Sequence, residues 1–262
     1  MSVLPAILAD VRHRLKEAQR AIPAVEVRRQ AEESPDPVSF VAAVDRRGTS
    51  VIAEAKRASP SRGVLLDPYD PVELARAYKR GGARALSVLT ERDHFAGSGA
   101  DLQAVARETD LPVLRKDFLV DAYQCWEARA WGASAALLIV AVLEKGALAD
   151  LHALLTELQV TPLVEVHTEA EAERALNAGV EVIGVNNRDL STFRTDLSVT
   201  ERVGAMLPEG VRVVSESGIA SREDVLRVER VGASAVLVGE ALVTAPDPVG
   251  CLAELTGTEE TA

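Results

Sequence analysis

Glu173-Arg174-Ala175-Leu176-Asn177-Ala178-Gly179, followed by Val182-Ile183-Gly184-Val185 and then Asn186, is the stretch on which the fold turns. The first part reads as a helix closed by glycine, the residue that takes a left-handed C-cap without strain. The second is a short aliphatic run, the pattern of a parallel strand buried on both faces. The same parts recur in the same order. Ala75-Arg76-Ala77-Tyr78-Lys79-Arg80-Gly81-Gly82-Ala83 precedes Ala85-Leu86-Ser87-Val88-Leu89, and Glu127-Ala128-Arg129-Ala130-Trp131-Gly132-Ala133 precedes residues 135–140. Val228-Glu229-Arg230-Val231-Gly232-Ala233 precedes residues 235–238. Helix, glycine, short loop and strand therefore form a repeating unit.

Extending the count predicts eight strands, near residues 51–55, 85–89, 112–114, 135–140, 162–166, 182–185, 211–215 and 236–238. Amphipathic helices separate them, with apolar positions three and four apart in Leu148-Ala149-Asp150-Leu151-His152-Ala153-Leu154-Leu155. Asp70, Thr168 and Ser221 stand at helix starts, and Ser221-Arg222-Glu223-Asp224 has capping-box spacing. Eight such units amount to an α/β fold, a (β/α)8 TIM barrel. An open doubly wound sheet would want a glycine-rich phosphate turn after its first strand, and none follows residues 51–55.

Residues 1–48 fall outside the repeat. They are expected to form an N-terminal helical extension packed on the barrel, with helices around Ile7 to Val11 and Val38 to Val44 and a break at Ser34-Pro35-Asp36-Pro37. Such an extension can cover part of one mouth. Residues 49–256 make the barrel domain, and 257–262 are expected to be a disordered tail.

With 262 residues, 47% of them hydrophobic, the chain can bury a large single core. A net charge of −11 without a basic run argues against nucleic acid or an anionic membrane as partner. An anionic small-molecule substrate must then be held by local cations and backbone N–H groups. The longest apolar stretch, residues 133–143, is too short to span a bilayer, and the first residues lack the pattern of a signal peptide, so the cytoplasm is the expected location. Cys125 and Cys251 make no disulfide framework, and His13, His94, His152 and His167 lack ligand spacing, so neither metal nor cofactor is expected. The sequence does not set the oligomeric state; a monomer is the expectation carried forward.

The strands end in polar and charged residues of the kinds acid/base chemistry uses. Residues two apart on a barrel strand face the same way, so Glu54 and Lys56, Lys116 and Phe118, Glu165, Asn186 and Arg188, and Glu216 should meet around one bowl. Two lysines, three carboxylates and an amide there would perturb one another's protonation. Read singly, Glu54–Lys56 and Lys116–Glu216 are as well explained as structural ion pairs. Five strands in register are not, because burying so many charges for stability alone is poor physics. Ser217-Gly218 after the seventh strand and Gly239-Glu240 after the eighth sit where such barrels bind phosphate, and Ser59 can reach the same anion from a loop expected to be mobile or a plain surface turn. Pro60, Phe95, Phe118 and Leu137 would supply an apolar wall.

These residues resemble the indole-3-glycerol-phosphate synthase family of tryptophan biosynthesis. The likeness is carried by Ile52-Ala53-Glu54-Ala55-Lys56-Arg57-Ala58-Ser59-Pro60-Ser61, Leu86-Ser87-Val88-Leu89-Thr90-Glu91 with Phe95-Ala96-Gly97-Ser98, and Leu111-Pro112-Val113-Leu114-Arg115-Lys116-Asp117-Phe118. Pro162 to His167, Ile183 to Leu190 and Ser215-Glu216-Ser217-Gly218-Ile219 continue it in order. The resemblance implies a carboxy-lyase that closes 1-(o-carboxyphenylamino)-1-deoxyribulose 5-phosphate to indole-3-glycerol phosphate with loss of CO2 and water. It implies Lys116 as general acid, Glu165 for the proton transfer of dehydration, and Lys56 against the substrate carboxylate, with the division of acid duty between the two lysines left open. Glu54, Asn186 and Glu216 would orient these groups. Ser59, Ser217, Gly218, Gly239 and Glu240 would surround the phosphate, Glu240 only through its N–H, since its carboxylate is an anion there. Phe95, Phe118, Leu137 and Arg188 would line the anthranilate pocket. Ala55 is smaller than the branched residue expected of the family and should face the helices. Three rivals stay open at this point: phosphoribosylanthranilate isomerase, a Schiff-base aldolase using Lys56 or Lys116, and a silent barrel that only binds a sugar phosphate.

Overall fold

A computed structural model describes residues 4–45, 48–189 and 192–258, Lys145 without its side chain. Eight parallel strands close on themselves: β1 (Ser50–Ala55), β2 (Ala85–Leu89), β3 (Val113–Lys116), β4 (Ala135–Ile139), β5 (Thr161–Val166), β6 (Val182–Asn186), β7 (Arg212–Glu216) and β8 (Ala233–Val238). Each pairs with its neighbour in sequence, and β8 returns to β1 with Ser50 opposite Ala235. The open-sheet alternative is thereby excluded. Lys116, Asn186 and Glu216 are the last residues of their strands rather than the first after them, so their backbones are fixed by the ladder.

Alternation along the strands sorts two apolar layers. Val51, Ala53, Ala55, Leu86, Val88, Val164, Ile183, Val185 and Val236 point outward into the larger core beneath the helices. Ile52, Ala85, Leu114, Ala135, Leu137, Leu163, Val182, Val214, Ala235 and Leu237 fill the interior. Full burial of each large aliphatic side chain contributes roughly 1.5–3 kcal/mol. Ala55 faces the helices as expected.

Several of the surrounding helices start on side-chain caps, and four stop at a left-handed glycine. Asp70 accepts from Val72 N and Glu73 N, Thr168 from Glu171 N, and Ser221 with Asp224 completes a reciprocal box. Gly82, Gly132, Gly179 and Gly232, one in each of the four repeats, all have φ between +77° and +94°. These turns lead into four of the strands, and because all eight pair in parallel their C-terminal ends share one rim.

The extension does more than cover a mouth. α1 (Leu4–Ala21) begins at the rim and ends beside the helix Ala122–Ala130, where Tyr123 Oη donates to Ala18 O and Ile22 O. α2 (Ala24–Glu33), a helix the apolar pattern does not announce, runs against that same helix. Arg129 there donates to Ser34 O and Pro35 O at the predicted break. α3 (Phe40–Val44), shorter than the expected helix because Ser39 caps it, inserts Phe40 and Val44 among the interior residues at the opposite end of the barrel. Gly257 and Thr258, assigned from sequence to the tail, instead close the last helix, Pro248–Thr256: Gly257 is left-handed and Thr258 N donates to Ala253 O. Residues 259–262 lie outside the described residues.

Candidate active site

The rim surrounds an open cavity of about 190 Å3. Every site residue expected from sequence lies on its wall: Glu54, Lys56, Ser59, Pro60, Phe95, Lys116, Phe118, Leu137, Glu165, Asn186, Arg188, Glu216, Ser217, Gly218, Gly239 and Glu240.

Lys116 is its electrostatic centre. Its Nζ lies 3.1 Å from Glu165 Oε2 and 3.5 Å from Glu216 Oε2. Burial alone would lower its pKa, but the neighbouring carboxyl groups, Glu165 foremost, outweigh that and hold it above the usual lysine range. The two carboxyls beside it are driven apart. Burial would raise Glu165, yet Lys116, His167 and a hydrogen bond from Asn186 keep it below the ordinary value. Glu216 is buried between Glu165 and Glu54, and it is pushed up to about 8 despite Lys116. A neutral acid and an ionised carboxylate thus flank one ammonium, a division of labour of the sort acid/base sites use. Glu216 Oε1 is buried without a hydrogen-bond partner.

Gly184 makes this arrangement possible. A Cβ at that position would lie 2.1 Å from Glu216 Oε1, so only glycine leaves room for the carboxylate. At the end of β1 Lys56 Nζ sits 2.8 Å from Glu54 Oε1, and a Cβ at Gly239 would crowd both groups.

Ser217 (φ +67°) and Gly218 (φ +89°) turn sharply after β7. Asn187, buried and not singled out from sequence, holds that turn: its Nδ2 donates to Ser215 Oγ, Glu216 O and Ser217 O, while its Oδ1 accepts from Thr200. The loop after β1 is a short antiparallel hairpin, Ala58–Ser59 with Gly63–Val64. Gly63 (φ +68°) and a hydrogen bond from Arg62 N to Ser59 O close its turn. Ser59 Oγ is buried without a partner on the cavity wall, and Arg62 reaches across to Glu240 Oε1 at 2.7 Å. Arg188 approaches the other oxygen of Glu240 at 3.9 Å, so that carboxylate is balanced by two guanidinium groups.

Phe95 and Phe118 face each other with centroids 6.4 Å apart. Two buried carboxylates set them. Glu91 accepts from the N–H groups of Asp93, His94 and Phe95, and Asp117 accepts from Thr90 Oγ1, Arg115 and Phe118 N. The wall also includes Leu4, Ile7 and Phe193, which the sequence did not point to. Among the described residues no group of three or more His, Cys, Asp and Glu side chains is placed to hold a metal ion, and no helix is long and apolar enough to cross a membrane.

Residues 4–255 match the model of the family described as indole-3-glycerol phosphate synthase. The chain belongs to the indole-3-glycerol phosphate synthase family. Proteins of that name from Mycolicibacterium vanbaalenii and Streptomyces griseus are similar to it, 50% identical over 254 residues and 48% over 255. Each comparison covers 97% of this chain, and 93% and 95% of the respective relative. Among solved structures, a 3-hexulose-6-phosphate synthase superposes with a TM-score of 0.63 at 14% identity, covering 80% of this chain and 99% of that one. That distant likeness shows the barrel alone. Membership in the indole-3-glycerol phosphate synthase family excludes the open-sheet reading a second time.

Proposed function

We propose that this site closes 1-(o-carboxyphenylamino)-1-deoxyribulose 5-phosphate to indole-3-glycerol phosphate with release of CO2 and water. The observation that carries the reading is Lys116, charged and wedged between Glu165 and Glu216, with the Phe95–Phe118 pair near it and the Ser217-Gly218 turn on the same wall.

The chemistry follows from that placement. The anthranilate ring stacks against Phe95, Phe118, Pro60 and Leu137, with Arg188 and Lys56 toward its carboxylate. The phosphate rests on the N–H groups of Ser217, Gly218, Gly239 and Glu240 and on Ser59 Oγ, whose missing partner an anion oxygen would supply. Stretched between these two anchors, the substrate places its carbonyl at Lys116. Lys116 donates a proton to the carbonyl oxygen as the ring carbon attacks, and departure of CO2 restores the aromatic ring. Glu165, kept ionised, then removes a proton from the methylene carbon beside the nitrogen while the hydroxyl takes a second proton from the recharged Lys116 and leaves as water. Glu54, Asn186 and Glu216 hold the two lysines and the substrate hydroxyls in place. A Schiff base at Lys116 is disfavoured, because an amine must lose its proton to attack and the surrounding carboxyl groups, Glu165 foremost, oppose that.

Mixing the protein with the anthranilate-linked deoxyribulose phosphate should produce indole absorbance and fluorescence together with CO2. Absence of turnover, or covalent trapping of a keto-sugar phosphate by borohydride, would remove the proposal.

A further inference from the structure

The reaction just proposed has a proton balance that the cavity must satisfy. The carbonyl oxygen takes up two protons before it departs as water, and one is recovered from the methylene carbon. With the substrate carboxylate ionised and leaving as neutral CO2, each turnover draws one proton from solvent. Lys116 and Glu165, where protons are exchanged, are buried deep in the cavity, beneath α1 and the Arg62–Glu240 contact.

Behind Glu165 stands a group that the mechanism leaves unused. His167, the first residue past the end of β5, has Nε2 at 3.4 Å from Glu165 Oε1 and Nδ1 at 3.4 Å from Glu171 Oε2. Neither ring nitrogen is satisfied by a hydrogen bond, although both are buried. Glu171 is anchored by His167 N, which donates to its Oε2 at 2.6 Å, and part of its carboxyl reaches solvent. The atoms therefore form a line: Glu171, His167, Glu165 and Lys116, with contacts of 3.4, 3.4 and 3.1 Å. An imidazole can accept a proton at one nitrogen while releasing one from the other, which suits it to such a position.

We propose that Glu171 and His167 form the inlet through which the proton consumed in each turnover reaches Glu165 and, from it, recharges Lys116. The inference rests on the ring-closure reading above. In each passage a proton bonds to Nδ1 of His167, the Nε2–H bond breaks toward Glu165 Oε1, and Glu165 passes a proton to Lys116 Nζ after it has protonated the substrate. Burial disfavours the imidazolium, but Glu171, Glu165 and Glu216 raise the ring's pKa above the ordinary histidine value, so the charged form is within reach near neutrality.

His167→Asn keeps size and polarity but cannot relay a proton; Glu171→Gln keeps the acceptor for His167 N while removing the solvent-side carboxylate. In steady-state assays both should lower kcat, His167→Asn by tenfold or more, with KM within twofold of the parent. The residual kcat of each should rise with the concentration of imidazolium buffer, which the parent ignores. A kcat within twofold of the parent in both variants overturns the inlet, as does a loss that buffer does not relieve or one confined to KM. An inactive parent would instead condemn the ring-closure reading, so the two failures are separable.

Discussion

Two groups of residues in the cavity use different materials. One group, at the ends of β1, β3, β5 and β7, presents Lys56, Lys116, Glu165 and Glu216 as paired, largely buried side chains. The other, in the turns after β7 and β8, presents Ser217, Gly218 and Gly239, where backbone and small residues do the holding. Charged side chains can change protonation during a reaction, whereas backbone N–H groups can only bind. The first group should therefore govern kcat and the second KM, and substitutions can test that division.

Lys116→Ala strikes the first group hardest. It should reduce kcat by about 10^2 to 10^4, the range of a lost general acid, with thermal unfolding confirming that the protein stays folded. Unchanged turnover would abolish the acid role. Gly184→Ala is the sharper instrument, since it adds one methyl 2.1 Å from Glu216 Oε1 without touching a charge. It should lower kcat by roughly ten- to a hundredfold by displacing that carboxylate; kcat equal to the parent's would mean that the position of Glu216 is immaterial. Gly218→Ala strains a φ of +89° and sets a Cβ 2.5 Å from Thr195 Cγ2. Here KM should rise about tenfold with kcat nearly intact, the loss of one to two backbone contacts to an anion. A fall in kcat alone would break the proposed division.

The smallest effect is on stability. The Glu216 carboxyl titrates near 8 in the folded state and near the ordinary carboxylate value when unfolded, so between those limits the folded state binds more protons. Its contribution to stability is thus lost as pH rises from about 5 to 8. Glu216→Gln should flatten the decline of Tm over that window, as differential scanning calorimetry at several pH values would show. A slope identical to the parent's would place Glu216 in the ionised state throughout.

Much of this was legible before the structure because it depends on local rules. A helix stop, a short aliphatic run and a charged residue at the strand end recur often enough to give the barrel and its rim, and Lys116, Glu165 and Glu216 follow from their strand positions. What escaped the sequence depends on long-range placement. α2 carries a largely polar sequence and has no side-chain N-cap, so nothing local announces it. Leu4 and Ile7 reach the cavity because α1 is clasped by Arg14–Asp93 and Asp10–His94, pairs some eighty residues apart. Asn187 looks like any loop amide until Ser215, Ser217 and Thr200 surround it. Gly184 faced inward by alternation, yet its clearance for Glu216 appears only once β6 and β7 are in register.

The path of the extension has a practical side. The chain starts its first helix over the cavity, while its final helix lies near Gly82, at the end where the strands begin. A fusion partner or surface tether joined ahead of Leu4 therefore crowds the substrate's entrance, and one joined beyond Thr258 leaves it clear. Immobilised preparations should keep their full rate only in the second orientation.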